Sequence, residues 1–334
     1  MVAPRVLRAV LFAFPLSLLV LLTPLPASSD RSVETGRSQL RLITEPDQGI
    51  QPIYRLLASP RRSLDLTMYE LRDSKAEQIL ATDAARGVKV RVLLDRAFVG
   101  ERENSATFSY LAHQKVKVRW APRRVEITHQ KSFVVDGHLA VVMTGNLTSE
   151  YYATTRDFAL VDHQAKDVAA IEKTFNLDWH DRKGTAPKGV DLVWSPDSES
   201  TLVSLIGSAH DSLLVENEEM SASEIIDALE AAAKRGVKVT VVMTRQSDWY
   251  DAFDALTRAG VQVDTYPDSS TALYIHAKVI VVDDHRAFLG SENFSVGSMQ
   301  YNRELGLITA NPTILTRLSR TVKQDAAGGQ PWHG

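Results

Sequence analysis

The chain has 334 residues, of which 44% are hydrophobic and 24% charged, and its formal net charge is −3 at pH 7. This composition is typical of a folded globular protein and excludes long disordered or low-complexity tracts. The slight acidity argues against a protein that grips duplex nucleic acid through many phosphate contacts, and the absence of cysteine excludes thiolate catalysis, disulfides and cysteine-based zinc sites.

The first segment, residues 1–29, has the pattern of a secretory signal peptide. Arg5 and Arg8 precede an apolar run over 9–22, and small residues follow it. This order favours export with cleavage near Ser29, and therefore a secreted, extracellular protein. A retained signal anchor is the alternative, but the apolar run is short for a spanning helix, which needs roughly 20 residues.

After residue 29, the sequence contains an internal repeat that predicts two copies of one α/β unit. The pentapeptide Arg-Gly-Val-Lys-Val at 86–90 recurs at 235–239, an offset of 149 residues. Each copy ends a predicted helix, over 75–85 and 222–234, and opens a predicted strand, because glycine commonly closes a helix and β-branched runs favour strands. The predicted strands cover 88–94 and 237–243.

The repeat predicts two halves of similar element order, residues 37–185 and 186–325, with a linker in the Lys-, Gly- and Pro-rich stretch 180–189. The offset of 149 also relates Glu70 to Glu219. A period this long indicates duplication of a half-domain, since solenoid repeats are far shorter. We predict the α/β fold class, with two similar α/β sandwich halves, containing mixed sheets, packed about a pseudo-twofold axis. Equivalent residues of the two halves would then meet at that axis.

Two copies of an H-x-K-x4-D motif carry the candidate chemistry. Each is followed by an asparagine and an acid, and all five positions recur at one offset of 147 residues. The first set is His129, Lys131, Asp136, Asn146 and Asp157, and the second is His276, Lys278, Asp283, Asn293 and Glu304. Side-chain alternation predicts that the histidine and lysine of each motif project from the same face of a buried strand.

Two imidazoles and two ammonium groups at one site suit attack on a phosphodiester. A neutral imidazole attacks phosphorus to form a phosphohistidine, while the other, protonated, imidazole protonates the leaving alkoxide and later deprotonates the incoming water or alcohol. The lysines and asparagine amides stabilise charge on the non-bridging oxygens. This scheme needs no metal and no cofactor, and no carboxylate cluster in the sequence indicates a metal site.

The extended motif resembles the signature of the phospholipase D superfamily, H-x-K-x4-D-x6-G-S-x-N, and the resemblance covers essentially the whole chain after residue 29. The second copy fits the signature fully, with Gly290 and Ser291, whereas the first has Met143 and Thr144 at those two places. Thr144 keeps a hydroxyl. Met143 replaces the smallest residue with a large one, which predicts a different shape on one side of the pocket and the same reaction type.

The resemblance implies roles residue by residue. His129 is implied as the nucleophile and His276 as the acid, with Asp157 and Glu304 orienting the imidazoles; the residues alone do not rank the two histidines. Phosphate binding is expected of Lys131, Lys278, Asn146, Asn293, Thr144 and Ser291, and a structural role away from the substrate of Asp136 and Asp283.

The expected function is cleavage of a phospholipid head group at a membrane surface, by hydrolysis or by transfer to an alcohol. Export and negative charge favour a lipid over nucleic acid, and no obligate protein partner is implied. The alternatives are a secreted nuclease of the same superfamily, a cardiolipin-synthase-like phosphatidyltransferase and a non-enzymatic phosphate-binding module; intact motifs in both halves argue against the last. The acidic run 216–219 either forms a solvated face or contributes to the pocket.

Overall fold

A computed structural model describes residues 40–97 and 100–333. The predicted signal peptide, residues 1–29, lies outside these stretches, and export remains a prediction. Among the helices of the two stretches, none combines the length and apolarity that a membrane crossing requires.

The first half is a mixed sheet flanked by helices. In chain order its elements are β1 (Leu40–Glu45), α1 (Gln51–Leu57), β2 (Ser63–Met68), β3 (Leu71–Arg72), α2 (Ser74–Ala85), β4 (Lys89–Leu94), α3 (Gly100–His113), β5 (Lys117–Trp120), β6 (Ser132–Val135), β7 (Leu139–Met143), β8 (Leu147–Thr148), β9 (Thr155–Asp162) and α4 (Ala165–Trp179). The main sheet has the order β1-β9-β7-β6-β2-β4-β5. It is parallel from β2 through β4 to β5 and antiparallel elsewhere along this path.

The second half repeats this architecture. Its elements are β10 (Leu192–Ser195), α5 (Glu199–Gly207), β11 (Ser212–Glu216), α6 (Ser223–Lys234), β12 (Lys238–Arg245), α7 (Tyr250–Arg258), β13 (Gln262–Pro267), β14 (Tyr274–Ile275), β15 (Val279–Val282), β16 (Arg286–Gly290), α8 (Val296–Gln300), β17 (Glu304–Thr309), α9 (Pro312–Gly328) and β18 (Gln330–Pro331). The sheet order β10-β17-β16-β15-β11-β12-β13 matches that of the first half, with β18 added at the edge. The predicted fold class, two similar α/β halves with mixed sheets, is confirmed.

The helix-to-strand junctions form where the repeated pentapeptide predicts them. Asp73 caps α2, since its carboxylate accepts hydrogen bonds from the backbone N–H groups of Lys75 and Ala76 at 2.8 and 3.1 Å. Gly87 and Gly236 follow α2 and α6 with φ of +96° and +93°. This left-handed conformation is open to glycine at little cost, so both helices end there and the chain turns into β4 and β12.

The two halves share an apolar cluster at their contact. Leu42, Phe158 and Leu160 of the first sheet are buried in the same cluster as Val279 and Leu307 of the second. Short β14 crosses the boundary and pairs in parallel with β9 of the first half. The contact is therefore both a packed core and a piece of shared sheet, which holds the two halves in one register.

Both strands that follow the histidines are shorter than predicted. β6 and β15 begin three residues after their histidines, so each histidine and lysine precedes its strand. The backbone of this segment pairs with the opposite half instead. His129 and Gln130 donate their N–H groups to the carbonyl of Arg303 at 3.0 and 2.8 Å, and His276 donates to that of Arg156 at 3.3 Å.

The motif aspartates hold the chain at the entrances of β2 and β11. Asp136 accepts hydrogen bonds from the backbone N–H groups of 61–63 at 2.7–2.9 Å, and Asp283 accepts three from 210–212 at the same distances. Burial alone would raise the pKa of each carboxyl, but the backbone donors outweigh it and the pKa of both is lowered.

Replacing Asp136 with alanine is expected to lower the free energy of unfolding by about 1–2 kcal/mol, because three backbone donors lose their acceptor. Since the folded-state pKa of Asp136 is lowered, its contribution is present above the unfolded pKa and is lost as the pH falls through the folded pKa. Urea unfolding at pH 7 and in acid measures both effects, with exposed Asp227→Ala on α6 as the control. Equal stability of Asp136→Ala and Asp227→Ala at pH 7 would contradict this role.

Candidate active site

The two motif histidines line one pocket between the halves. The pocket has a volume of about 640 Å³, and its wall includes Asn146, Asn293 and Asp157 besides His129 and His276. Two other clefts, of about 560 and 480 Å³, contain none of the motif residues. Within 40–97 and 100–333, no group of three or more histidine or acidic side chains is arranged to hold a metal ion; metal independence remains a prediction.

Each histidine is bound by the acid of the opposite half. His129 Nδ1 lies 3.0 Å from Glu304 Oε2, and His276 Nδ1 lies 2.9 Å from Asp157 Oδ1. A donor role at Nδ1 leaves Nε2 as the nitrogen that carries the lone pair in the neutral imidazole. The structure thus brings together two histidine–carboxylate pairs, and each pair exists only because the halves are docked.

Two buried arginines that the motif analysis did not single out support this arrangement. Arg156 and Arg303 each precede the acid of a pair. Arg156 Nε lies 2.6 Å from Asp325 Oδ2 of the other half, and Arg303 Nε lies 3.1 Å from Asp178 Oδ2 of the other half. Both arginines and both aspartates obey the offset of 147 residues. That offset was the signal that would have identified them.

The hydroxyls of Thr144 and Ser291 lie behind the histidines. Ser291 Oγ donates to Glu304 Oε2 at 2.6 Å, and Thr144 Oγ1 donates to Asp157 Oδ1. Both side chains are fully buried. Phosphate binding by these two residues remains a prediction that the observed contacts do not favour, since each hydroxyl is engaged in fixing the acid of a pair.

Burial sets the charge state of the first motif. The pKa of His129 is lowered to about 4, chiefly by burial, with the carboxylate of Glu304 opposing the change and Lys131 adding to it. His129 is therefore neutral near pH 7, as an attacking imidazole must be. Burial also lowers the pKa of Lys131 to about 7, against the influence of Glu304.

The motif lysines and asparagines lie beside the histidines. Lys131 and Lys278 are fully buried, and the Nζ of each donates to the carbonyl oxygen of its own motif histidine at 2.6 Å. Asn293 Nδ2 donates to Glu219 Oε1 at 2.9 Å. The Oδ1 atoms of Asn146 and Asn293 are buried without a hydrogen-bond partner, so each asparagine has bonding capacity to offer a ligand.

Met143 does not reshape the pocket as predicted. It lies in β7 within the core of the first half and pairs with Ala159. Its equivalent, Gly290, pairs with Gly306, where an added Cβ would lie 2.4 Å from the Gly306 Cα. Each pair thus sets how closely two strands pack, and the difference between the halves is one of core packing.

The charged side chains on the rest of the pocket wall are acidic. Besides Asp157, five carboxylates line it, and no lysine or arginine does so in the described stretches. The five are Glu70, Glu150, Glu218, Glu219 and Asp268. Two members of the acidic run 216–219 therefore contribute to the pocket, which decides between the two interpretations of that run. Burial raises the pKa of Glu70 and Glu219.

Comparison with protein-family models matches the chain to the PLD-like domain of cardiolipin synthase, over residues 53–179 and again over 202–326. Among curated relatives, the major cardiolipin synthase ClsA of Bacillus subtilis is 26% identical over 89% of this chain and 70% of its own length. Cardiolipin synthase A of Serratia proteamaculans is 23% identical over 81% of this chain and 65% of its own. The chain thus spans roughly two thirds of these relatives.

Solved structures share the fold. Phosphatidylserine synthase of Haemophilus influenzae matches 88% of this chain and 87% of its own, with a TM-score of 0.69 and 12% identity. Polyphosphate kinase of Porphyromonas gingivalis matches 86% of this chain and half of its own, with a TM-score of 0.67 and 15% identity. At these identities the likeness is one of fold.

We predict that His129→Ala and His276→Ala each abolish turnover about as completely as the double substitution, because residues that act as one unit are not additive. Initial rates on a phosphodiester with an alkyl leaving group measure this, with exposed His113→Ala as the control. Multiplicative losses, or substantial activity in either single variant, would contradict a joint role.

Proposed function

The chain belongs to the phospholipase D superfamily through two copies of the PLD-like domain of cardiolipin synthases, and from this membership we propose that it transfers a phosphatidyl group from a phospholipid to an alcohol. The observation that carries the proposal is the pair of histidine–carboxylate contacts facing one pocket. The sequence alone favoured head-group cleavage by hydrolysis, with a nuclease as the first alternative and a cardiolipin-synthase-like phosphatidyltransferase as the second. The relatives, which are named as synthases, favour transfer.

The proposed reaction has two displacements at phosphorus. His129 Nε2 attacks, the bond from phosphorus to the leaving alcohol oxygen breaks, and His276 gives that oxygen a proton. His276 then takes the proton of an incoming alcohol, whose oxygen attacks phosphorus and releases His129. Lys131 and Lys278 lie beside the two histidines, where positive charge stabilises the non-bridging oxygens in both steps.

The acidic wall supports an alcohol as the incoming group. Carboxylates such as Glu70, Glu219 and Asp268 accept hydrogen bonds from hydroxyl groups, and Asn293 has an unpartnered oxygen. A hydroxyl-rich head group could donate to several of these acceptors at once, whereas a single water molecule donates at most two hydrogen bonds. Transfer and hydrolysis differ only in which oxygen attacks the phosphohistidine, so the wall biases that competition.

The same wall argues against a nuclease. A polyanion that enters this pocket meets carboxylates, and among the described residues on its wall there is no lysine or arginine, whereas nucleic-acid grooves are usually basic. A phospholipid brings a single phosphate, which the buried Lys131 and Lys278 can neutralise. Action outside the cytoplasm, following export, is part of the proposal.

The test offers the protein fluorescent phospholipid vesicles with glycerol, and DNA in parallel, all with EDTA. We expect a transfer product that rises with glycerol concentration while phosphatidic acid falls, and no DNA cleavage. His129→Ala, which should form neither product, is the control. Phosphatidic acid formation that does not respond to glycerol would return the assignment to hydrolysis. DNA cleavage without lipid turnover would refute the lipid proposal.

A further inference from the structure

The pseudo-twofold symmetry of the site is broken directly beside the two histidines. The offset of 149 residues that relates Glu70 to Glu219 also relates Tyr69 to Glu218. The Tyr69 ring packs against His129 at 4.7 Å between ring centres. Glu218 instead places a carboxylate oxygen 3.3 Å from Nε2 of His276. One histidine thus meets an aromatic ring where the other meets a negative charge.

Glu218 gives His276 carboxylates at both of its ring nitrogens. Asp157 Oδ1 lies 2.9 Å from Nδ1, and Glu218 Oε2 lies 3.3 Å from Nε2. A neutral imidazole has one N–H and one lone pair, so only the imidazolium can donate to both acids. Glu218 also accepts hydrogen bonds from Lys278 Nζ at 2.9 Å and from the hydroxyl of Tyr274 at 3.2 Å, which fix its position.

His129 has the opposite surroundings. Its Nδ1 faces Glu304, and within the described stretches no acid pairs with its Nε2. Glu304 also accepts hydrogen bonds from Ser291 and Ser298, which spreads its charge over several donors. Burial lowers the pKa of His129 to about 4. The lone pair on its Nε2 is therefore available for attack.

We propose that Glu218 is the positioning residue that divides the two roles, because its carboxylate occupies the Nε2 contact of His276 in the free enzyme and so leaves attack to His129. The inference rests on the phosphohistidine route of the proposed function and adds the residue that orders it. When the diester binds, its leaving oxygen takes the Nε2 contact of His276, and Glu218 remains on Lys278 and Tyr274. Glu218 thus acts through His276 and not on phosphorus.

The expected pH effect follows from the groups around His276. Asp157, Glu218 and Glu70 face it as acids, and the nearby cations and neutral groups are Lys278, His129 and Tyr274. A carboxylate against an imidazole favours the protonated form. Removing the charge of Glu218 is therefore expected to move the alkaline limb of kcat/KM to lower pH.

The test compares Glu218→Gln with the native enzyme on methyl 4-nitrophenyl phosphate and methyl phenyl phosphate. These esters share the phosphoryl group, but phenolate is the poorer leaving group and needs the acid more. We expect a loss of about tenfold or more on the phenyl ester and a small change on the nitrophenyl ester. The alkaline limb of kcat/KM should move to lower pH.

Two further variants make the result decisive. Glu218→Asp keeps the charge and should restore the alkaline limb, whereas Glu230→Gln removes a carboxylate from α6, outside the pocket, and should match the native enzyme. Equal losses on both esters with an unmoved alkaline limb, or no loss at all, would overturn the assignment. Neither ester is a lipid. An enzyme that cleaves both esters but turns over no phospholipid would therefore refute the proposed lipid substrate without refuting the role of Glu218.

Discussion

Each half supplies the carboxylate that binds the histidine of the other half, and the rest of the site depends on this reciprocal pairing. His129 takes its carboxylate from Glu304 and His276 takes its own from Asp157, so neither half holds a complete pair. The residue before each acid also accepts a backbone hydrogen bond from the same histidine. The site is therefore assembled only when the halves dock. A loose contact between them would misplace both imidazoles at once.

Buried ion pairs between the halves serve this precision. Arg156 with Asp325 and Arg303 with Asp178 cross the same contact that Phe158 and Val279 help to fill. Such pairs add little net stability, because desolvation offsets attraction, but removing one partner is costly. The apolar cluster supplies the driving force for docking, and we attribute to the ion pairs the choice of one register among several that packing alone would allow.

Much of this was accessible from the sequence. The repeat predicted the two halves and the fold class, and the two motifs carried the resemblance to the superfamily. The repeat did not show which acid binds which histidine, since Asp157 and Glu304 are equivalent in it and only the docked structure distinguishes them. The predicted placement of each motif histidine and lysine on a strand was wrong, because local periodicity does not reveal backbone pairing across the contact. The sequence did not decide whether water or an alcohol accepts the phosphatidyl group. The motif specifies attack on phosphorus but not the oxygen that later releases the histidine, and we attribute that choice to the pocket wall.

The mechanism requires that one histidine carry the phosphoryl group while the other handles the proton. Brief reaction with a phosphorus-labelled diester, an alkaline quench and peptide mapping test this requirement directly, because a phosphoramidate bond survives base better than acid. We expect acid-labile label on His129, accumulating further in His276→Ala with a good leaving group. No label on any histidine, together with activity abolished by EDTA, would contradict the mechanism.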